Sequence, residues 1–154
     1  MVQLTPMDSA EFGPYMERLI KRYGSEHVRT GRWTEQEGPT EARKEIERVL
    51  PSGLHTPNNF IFAIVSNPSD PHVGTVWLAI EPRGGFVYDL EISEAFRRKG
   101  YAEAAMRLLE PIARAKGASK LSLHVFGDNH GARALYRKLG YSETNVAMSK
   151  ALTQ

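Results

Sequence analysis

The sequence contains no cysteine. Disulfides, thiolate nucleophiles and cysteine metal sites are therefore excluded. Charge of one sign is also scarce: 20 Lys and Arg against 18 Asp and Glu leave a formal net charge of +2. So small an excess does not call for a polyanion or an anionic surface, and neither nucleic acid nor a membrane is expected as a partner. No apolar run approaches the roughly 20 residues of a membrane-spanning helix. The opening segment MVQLTPMDSAEF has no basic stretch leading into an apolar one, so no secretion signal is expected and a cytoplasmic location is. No group of His, Asp and Glu has metal-ligand spacing, and no metal is expected. Internal repeats, low-complexity tracts and long flexible linkers are missing as well.

What is present is ordinary in bulk and specific in pattern. The 154 residues, 41% hydrophobic and 25% charged, suit one globular domain, taken here as residues 1–154. Residues 1–58 read as helices and loops, with a short first strand at 2–5. Phe12, Met16, Leu19, Ile20 and Tyr23 recur at helical spacing, with Pro14 blurring the start. TEQE at 34–37 has the form of a capping box. A second apolar face of Ala42, Ile46, Val49 and Leu50 follows it and is stopped by Pro51. In residues 59–150, NFIFAIV, HVGTVWLAI and GFVYDLEI predict three strands joined by turn-rich connections, which favours antiparallel neighbours. A helix is expected over 101–116, kinked by Pro111, with Gly117 after its end. KLSLHVF then predicts a fifth strand, NHGARALYRKLG a short helix capped by Asn129, and YSETNVAMSK a last strand. Strand, helix, strand is a crossover unit, so the fourth and fifth strands are expected to be parallel. The fold class is α/β: a mixed sheet with helices on both faces.

One turn stands out. Arg97, Arg98 and Lys99 run into Gly100 at the start of a helix. Cations are unfavourable at that positive end of the helix dipole, so an anion placed there would resolve the conflict. The turn is neither G-x-x-x-x-G-K-[ST] nor G-x-G-x-x-G, which excludes the common nucleotide loops. Taken alone it is either a phosphate site or a solvated basic turn.

RRKGYA, residues 97–102, resembles the Arg/Gln-x-x-Gly-x-Gly/Ala motif of the GNAT superfamily of N-acetyltransferases, and it is preceded by a strand and followed by a helix, as that family requires. NHGARALYRKLGY resembles the second signature of the family, Asn-x-x-Ala-x-x-Leu-Tyr-x-x-x-Gly-Phe/Tyr. The tail is similar to a bacterial subgroup of uncharacterised members. The resemblance implies a sheet of six to seven strands with a splayed parallel pair at the cofactor. It also implies an acetyl-CoA-binding core at 59–150 and an acceptor side at 1–58. Backbone N–H groups at Gly100 and Ala102 would hold the pyrophosphate, with Arg97, Arg98, Lys99 and Tyr101 around it. Ala102 stands where the family often has glycine, and Arg98 does too, which would stiffen the loop. Ile92 would present backbone groups to the pantetheine arm, and Asn129 would bond the cofactor besides capping its helix.

The chemistry needs a deprotonated amine, donors for an oxyanion and a proton for the departing thiolate. Tyr136 shares a helical face with Ala132, Leu135 and Leu139, so by spacing it is a packing residue; the resemblance points it at the cofactor sulfur as the acid. Asp89 and Glu91 fall on one side of their strand together with Val87. That side is either a solvated face or a cleft in which repulsion and burial raise one carboxyl pKa. Glu91 is the first candidate for the base and Asp89 the second. His124, on the fifth strand, is the third, matching a position where some family members place theirs. Substrate-side candidates are Tyr23, Trp33, Glu35, His55 and Thr56, on irregular or terminal segments. With no cysteine to carry an acetyl group, direct attack in a ternary complex is expected. The acceptor stays open among a small amine, an amino acid, a peptide N-terminus and a protein lysine, and a homodimer is compatible with the sequence. The alternative is a non-catalytic acyl-CoA-binding module.

Overall fold

The structure, a computed structural model, describes residues 1–67, 69 and 72–153. It divides into two compact units, Met1–Leu123 and His124–Gln154. The first holds β1 (Gln3–Pro6), α1 (Ser9–Arg29), α2 (Gly38–Val49), β2 (Asn59–Val65), β3 (Gly74–Glu81), β4 (Gly84–Ile92), α3 (Tyr101–Ala115) and β5 (Leu121–Leu123), and the second holds α4 (His130–Lys138).

α1 opens on a side-chain cap, and a capping box precedes α2. Asp8 accepts from the Glu11 N–H at 2.8 Å and opens α1. Pro14 lies inside α1 and has no N–H to give to the carbonyl of Ala10. Before α2, Thr34 N–H donates to Glu37 at 2.9 Å and Glu37 N–H donates to the Thr34 hydroxyl oxygen at 3.1 Å, the two halves of a capping box.

The sheet runs β1-β2-β3-β4-β5. The first four strands are antiparallel neighbours, and β5 lies parallel to β4. The register slips between Trp77 and Leu78: Trp77 faces Asp89, whereas Leu78 faces Val87. Tyr88 is the extra residue of a bulge, and its ring stacks on Trp77 at 4.7 Å. Cross-strand partners share a face and consecutive residues do not, so Val87 and Asp89 point to opposite faces. The expected common side of Val87, Asp89 and Glu91 is thus corrected by the bulge, while Asp89 and Glu91 remain together.

One face carries Ile61 and Trp77, packed with Met7, Tyr15, Leu19, Ile20, Ala42, Ile46 and Leu50. On the other, Phe62, Ile64, Val76 and Leu78 are buried, as are Ala105, Met106 and Leu109 of α3, which touches β1, β3 and β4. Burying a side chain of this size contributes about 1.5–3 kcal/mol.

Two elements are shorter than expected. β5 keeps only Leu121–Leu123 of the segment 120–126, pairing at Gly85, Phe86 and Val87 of β4. Just beyond, the bulge at Tyr88 turns β4 away from a regular ladder. The last strand, expected at 141–150, is not formed, and no described residue of 124–153 is buried. Alternation marks which face a strand would bury; it does not supply the neighbour whose N–H and C=O groups make it one.

The α1 face meets the sheet through charge as well as apolar packing. Asp89, 8% exposed, accepts from the Tyr15 hydroxyl at 2.7 Å and from Arg22 at 2.7 and 3.2 Å. Arg22 also reaches Glu91 at 3.1 Å, and Arg18 lies 3.4 Å from the same carboxylate. Burial pushes the Tyr15 hydroxyl well above its ordinary 10.0, and the Asp89 charge pushes it further. Burial acts against the Arg22 cation, but its bond to Asp89 outweighs that and holds its pKa above the usual value. Gly74 fixes the other side of the cluster: a Cβ there would sit 2.1 Å from the Glu91 carbonyl oxygen.

Arg22→Met leaves Asp89 buried with its charge only partly met, and we expect a loss of about 3–5 kcal/mol in urea unfolding at unchanged m-value. An unmoved midpoint would show that the pair does not hold α1. The Tyr15 stabilisation is complete below about pH 10, where both states keep the proton. It falls as the pH rises above that value, because the unfolded tyrosine ionises first. Stability measured between pH 9 and 11 should therefore decline less steeply in Tyr15→Phe than in the parent.

Candidate active site

β4 ends at Ile92, a short turn covers Glu94–Phe96, and Arg97 to Gly100 lead into α3. Gly100 has φ 82° and is followed by the helix with no side-chain cap. The first turn closes with Ala104 N–H donating to the Gly100 carbonyl at 3.1 Å. The N–H groups of Tyr101, Ala102 and Glu103 precede that bond, at the positive end of the helix dipole. An added Cβ at Gly100 meets nothing within 4 Å, so the approach to those groups is open. Arg98 has φ 63°, a conformation that glycine adopts without strain.

The three cations of the turn have different surroundings. Arg97 donates from Nε to the Ile92 carbonyl at 2.9 Å and so braces the end of β4. Lys99 Nζ lies 5.8 Å from the centre of the Phe96 ring, which also meets Tyr101 edge-on at 6.4 Å. Arg98 is exposed. A basic turn, an uncapped helix end and a bare glycine make a cradle suited to a pyrophosphate. From Tyr88 to Ile92 β4 has no pairing with β5, leaving main-chain groups on that edge for an extended arm with amides.

The two acidic residues of β4 are in unlike positions. Asp89 is engaged on both oxygens by Tyr15 and Arg22. Glu91, besides its arginine partners, lines a cleft of about 330 Å³ with Glu11, Pro14, Arg18, His72 and Ser93 among the other walls. His72 Nδ1 is 2.6 Å from a Glu11 carboxylate oxygen. The sequence reading did not single out Glu11, Tyr15, Arg18, Arg22 or His72. A signal was there for the helix: Tyr15, Arg18 and Arg22 follow i, i+3, i+7 spacing opposite an acidic strand.

The expected substrate-side residues lie elsewhere. Tyr23 donates to Glu45 at 2.6 Å and packs against Trp33 at 6.0 Å, and Arg32 covers Trp33 at 4.5 Å. Burial raises the Tyr23 pKa, and so does its bond to Glu45. Glu35 borders a wide groove of about 900 Å³ between α1 and α2, with Lys21, Arg43 and Lys44. His55 stands in a short turn before β2, where the buried Thr56 hydroxyl donates to the Gly53 carbonyl at 2.8 Å.

In the second unit, Asn129 caps α4 by accepting from Ala132 N–H at 3.1 Å. Past its end, Tyr141 N–H donates to the Tyr136 carbonyl at 2.9 Å and Gly140 N–H to the Arg137 carbonyl at 3.0 Å, a Schellman closure. The Tyr136 and Tyr141 rings meet edge to face at 5.7 Å. Glu143 accepts from Arg133 and Arg137, and those bonds hold its pKa below the usual range. His124 meets Phe126 edge to face at 5.1 Å.

Among the described residues no helix is long and apolar enough to cross a membrane, and no group of three or more His, Cys, Asp or Glu is placed to hold a metal ion.

Comparison with known proteins agrees with this geometry. A sequence model of the acetyltransferase (GNAT) family matches residues 18–141. The chain is 39% identical to the uncharacterised N-acetyltransferase YycN of Bacillus subtilis (strain 168), across 98% of this chain and 99% of YycN. It is 33% identical to another uncharacterised N-acetyltransferase of that organism, YdgE, across 97% of each. The crystal structure of YycN superposes with a TM-score of 0.94 at 38% identity over the whole of both chains. A PaiA N-acetyltransferase of Thermoplasma acidophilum, solved with coenzyme A, shares the fold at a TM-score of 0.69 and 13% identity, covering 96% of this chain and 93% of its own. The family match spans the acidic strand, the basic turn and both signatures, and the chain belongs to the GNAT family of acetyltransferases.

Proposed function

We propose that this N-acetyltransferase takes acetyl-CoA as its donor and passes the acetyl group to a primary amine by direct attack in a ternary complex. The observation that carries the reading is the uncapped N-terminus of α3 behind the turn Arg97 to Gly100, next to a β4 edge without a strand partner. The coenzyme A bound to the PaiA relative supports the same donor here. The N–H groups of Tyr101 and Ala102 receive the pyrophosphate, Arg98 and Lys99 add charge, and Arg97 keeps Ile92 in place for the arm. Asn129 adds a bond to the cosubstrate beyond its cap. The absence of cysteine favours direct transfer over an acyl-enzyme.

In this reading the amine meets a wall of mixed charge, with Glu11 and Glu91 beside Arg18. Glu91 attracts the ammonium form into the cleft, while Asp89, held on both oxygens, positions the strand and Arg22. Tyr136 supplies the proton to the departing thiolate, and its ring is steadied by Tyr141. His124 lies outside this scheme. The acceptor is of the amine class, a small molecule, a peptide or a protein.

Saturating acetyl-CoA should raise the melting temperature, since a ligand at 100 times its Kd stabilises the native state by about 2.7 kcal/mol. Gly100→Asp, folded, should lose most of that rise; an unchanged rise would remove the pyrophosphate from this turn. Tyr136→Phe keeps the ring and removes the proton. Its kcat, measured by thiol release with an amine panel, should drop about 10²-fold with the thermal shift intact. Full activity in that variant would take the acid role from Tyr136.

A further inference from the structure

Glu91 is a poor candidate for the group that removes the amine proton, because Arg18 and Arg22 already claim its oxygens. The cleft it lines contains another group with the right chemistry. His72 Nδ1 and a Glu11 carboxylate oxygen are 2.6 Å apart, one from the segment before β3 and one from the first turn of α1. Paired with a carboxylate, Nδ1 carries the hydrogen and donates it, so the neutral ring keeps its lone pair on Nε2. Such a carboxylate also steadies the imidazolium that forms when Nε2 takes a proton. Ser93 N–H donates to the Val73 carbonyl at 2.8 Å, so His72 is one residue from the tie that holds the end of β4. His72, Glu11, Glu91 and Ser93 line the same cleft.

We propose that this cleft receives the acceptor amine and that His72, oriented by Glu11, is the base that deprotonates it. The proposal rests on the acetyl-transfer reading above and names its acceptor site. The charged groups facing the imidazole are Glu11 and Arg18 from α1 and Glu91 from β4. Glu91 draws in the ammonium, and Arg18, half exposed, offers a cation to an acceptor that bears a carboxylate near its amine. The ammonium gives one proton to His72 Nε2. The neutral nitrogen then attacks the thioester carbonyl carbon, a C–N bond forms and the C–S bond breaks. The thiolate sulfur takes its proton from the Tyr136 hydroxyl, the second nitrogen proton, lost as the amide forms, replaces it on the Tyr136 oxygen, and His72 returns its own proton to solvent. A free amine and a thioester thus become an amide and a thiol. The step needs no oxidant or metal.

Two measurements test this on the full chain. The first needs no acceptor: the ring nitrogens of His72 are observed by NMR at one fixed pH in the parent and in Glu11→Gln. The parent should show the hydrogen on Nδ1, and loss of the carboxylate should redistribute it toward Nε2; an unchanged tautomer overturns the dyad. The second uses the amine that gives the fastest thiol release. His72→Gln should lower kcat/KM about 10²-fold and displace the acid limb of its pH profile, with the acetyl-CoA thermal shift unchanged. Glu11→Gln should lower kcat/KM by a smaller factor, with the acetyl-CoA thermal shift again unchanged. A limb kept in His72→Gln and lost in Glu91→Gln returns the base to β4 and overturns the proposal, while loss of activity in Tyr136→Phe still supports acetyl transfer. A parent protein that stabilises with acetyl-CoA yet acetylates no amine overturns the transfer reading and this proposal together.

Discussion

The contact between Arg22 and Asp89 organises the sheet's acidic face. A carboxylate at 8% exposure must be matched in place, and its two oxygens are matched by two guanidinium nitrogens of Arg22 and the phenol of Tyr15, the last sharing Oδ2. Because the partners are on α1 and the carboxylate is on β4, the bond sets the rotation of the helix against the sheet. It therefore decides which α1 residues look toward the end of β4. Glu11 and Arg18 reach the cleft by that rotation, and the apolar stripe Tyr15, Leu19 and Ile20 packs on Ile61 and Trp77 by the same one.

A second constraint lies within β4. The extra residue at Tyr88 reverses the facing of everything after it relative to a regular strand. Without the bulge, Asp89 and Glu91 would turn toward α3 and its apolar residues, where two carboxylates would have no cation to meet. With it, one strand serves two environments: Val87 is buried on the α3 side, and Asp89 is buried on the α1 side. The stacked ring of Tyr88 on Trp77 covers the irregularity, and burial helps hold its hydroxyl pKa up at about 12.

Much of this was legible in the sequence. The capping box at Thr34, β2 at Asn59–Val65, the crossover from β4 to β5 and the basic turn before α3 are local signals, and each took the form its residues predict. The pairing of Asp89 with Arg22 was not, since 67 positions separate them and only the tertiary fold brings them together. The bulge left no mark in the pattern FVYDLEI, which alternates as well with it as without it. His72 was hidden for a similar reason: it belongs to no periodic segment, and its partner Glu11 lies 61 positions away. The tail 141–150 reads as a strand from its residues, but such a reading is a property of one segment and pairing is a property of two.

The early end of the β4–β5 ladder has a cost that the rest of the fold must manage. A strand edge without a partner, here the β5 side of Tyr88 to Ile92, is a template on which any extended peptide can pair. Five residues span about 17 Å, enough to seed sheet extension from one molecule to the next. The bulge makes the run uneven, and Arg97, held on the Ile92 carbonyl, occupies one of its acceptors with a charged group. Both devices blunt the edge against foreign strands. An edge kept free of a strand and guarded in this way ties the protein's colloidal behaviour to the bulge and to Arg97, so loss of either should promote association as much as it disturbs the turn.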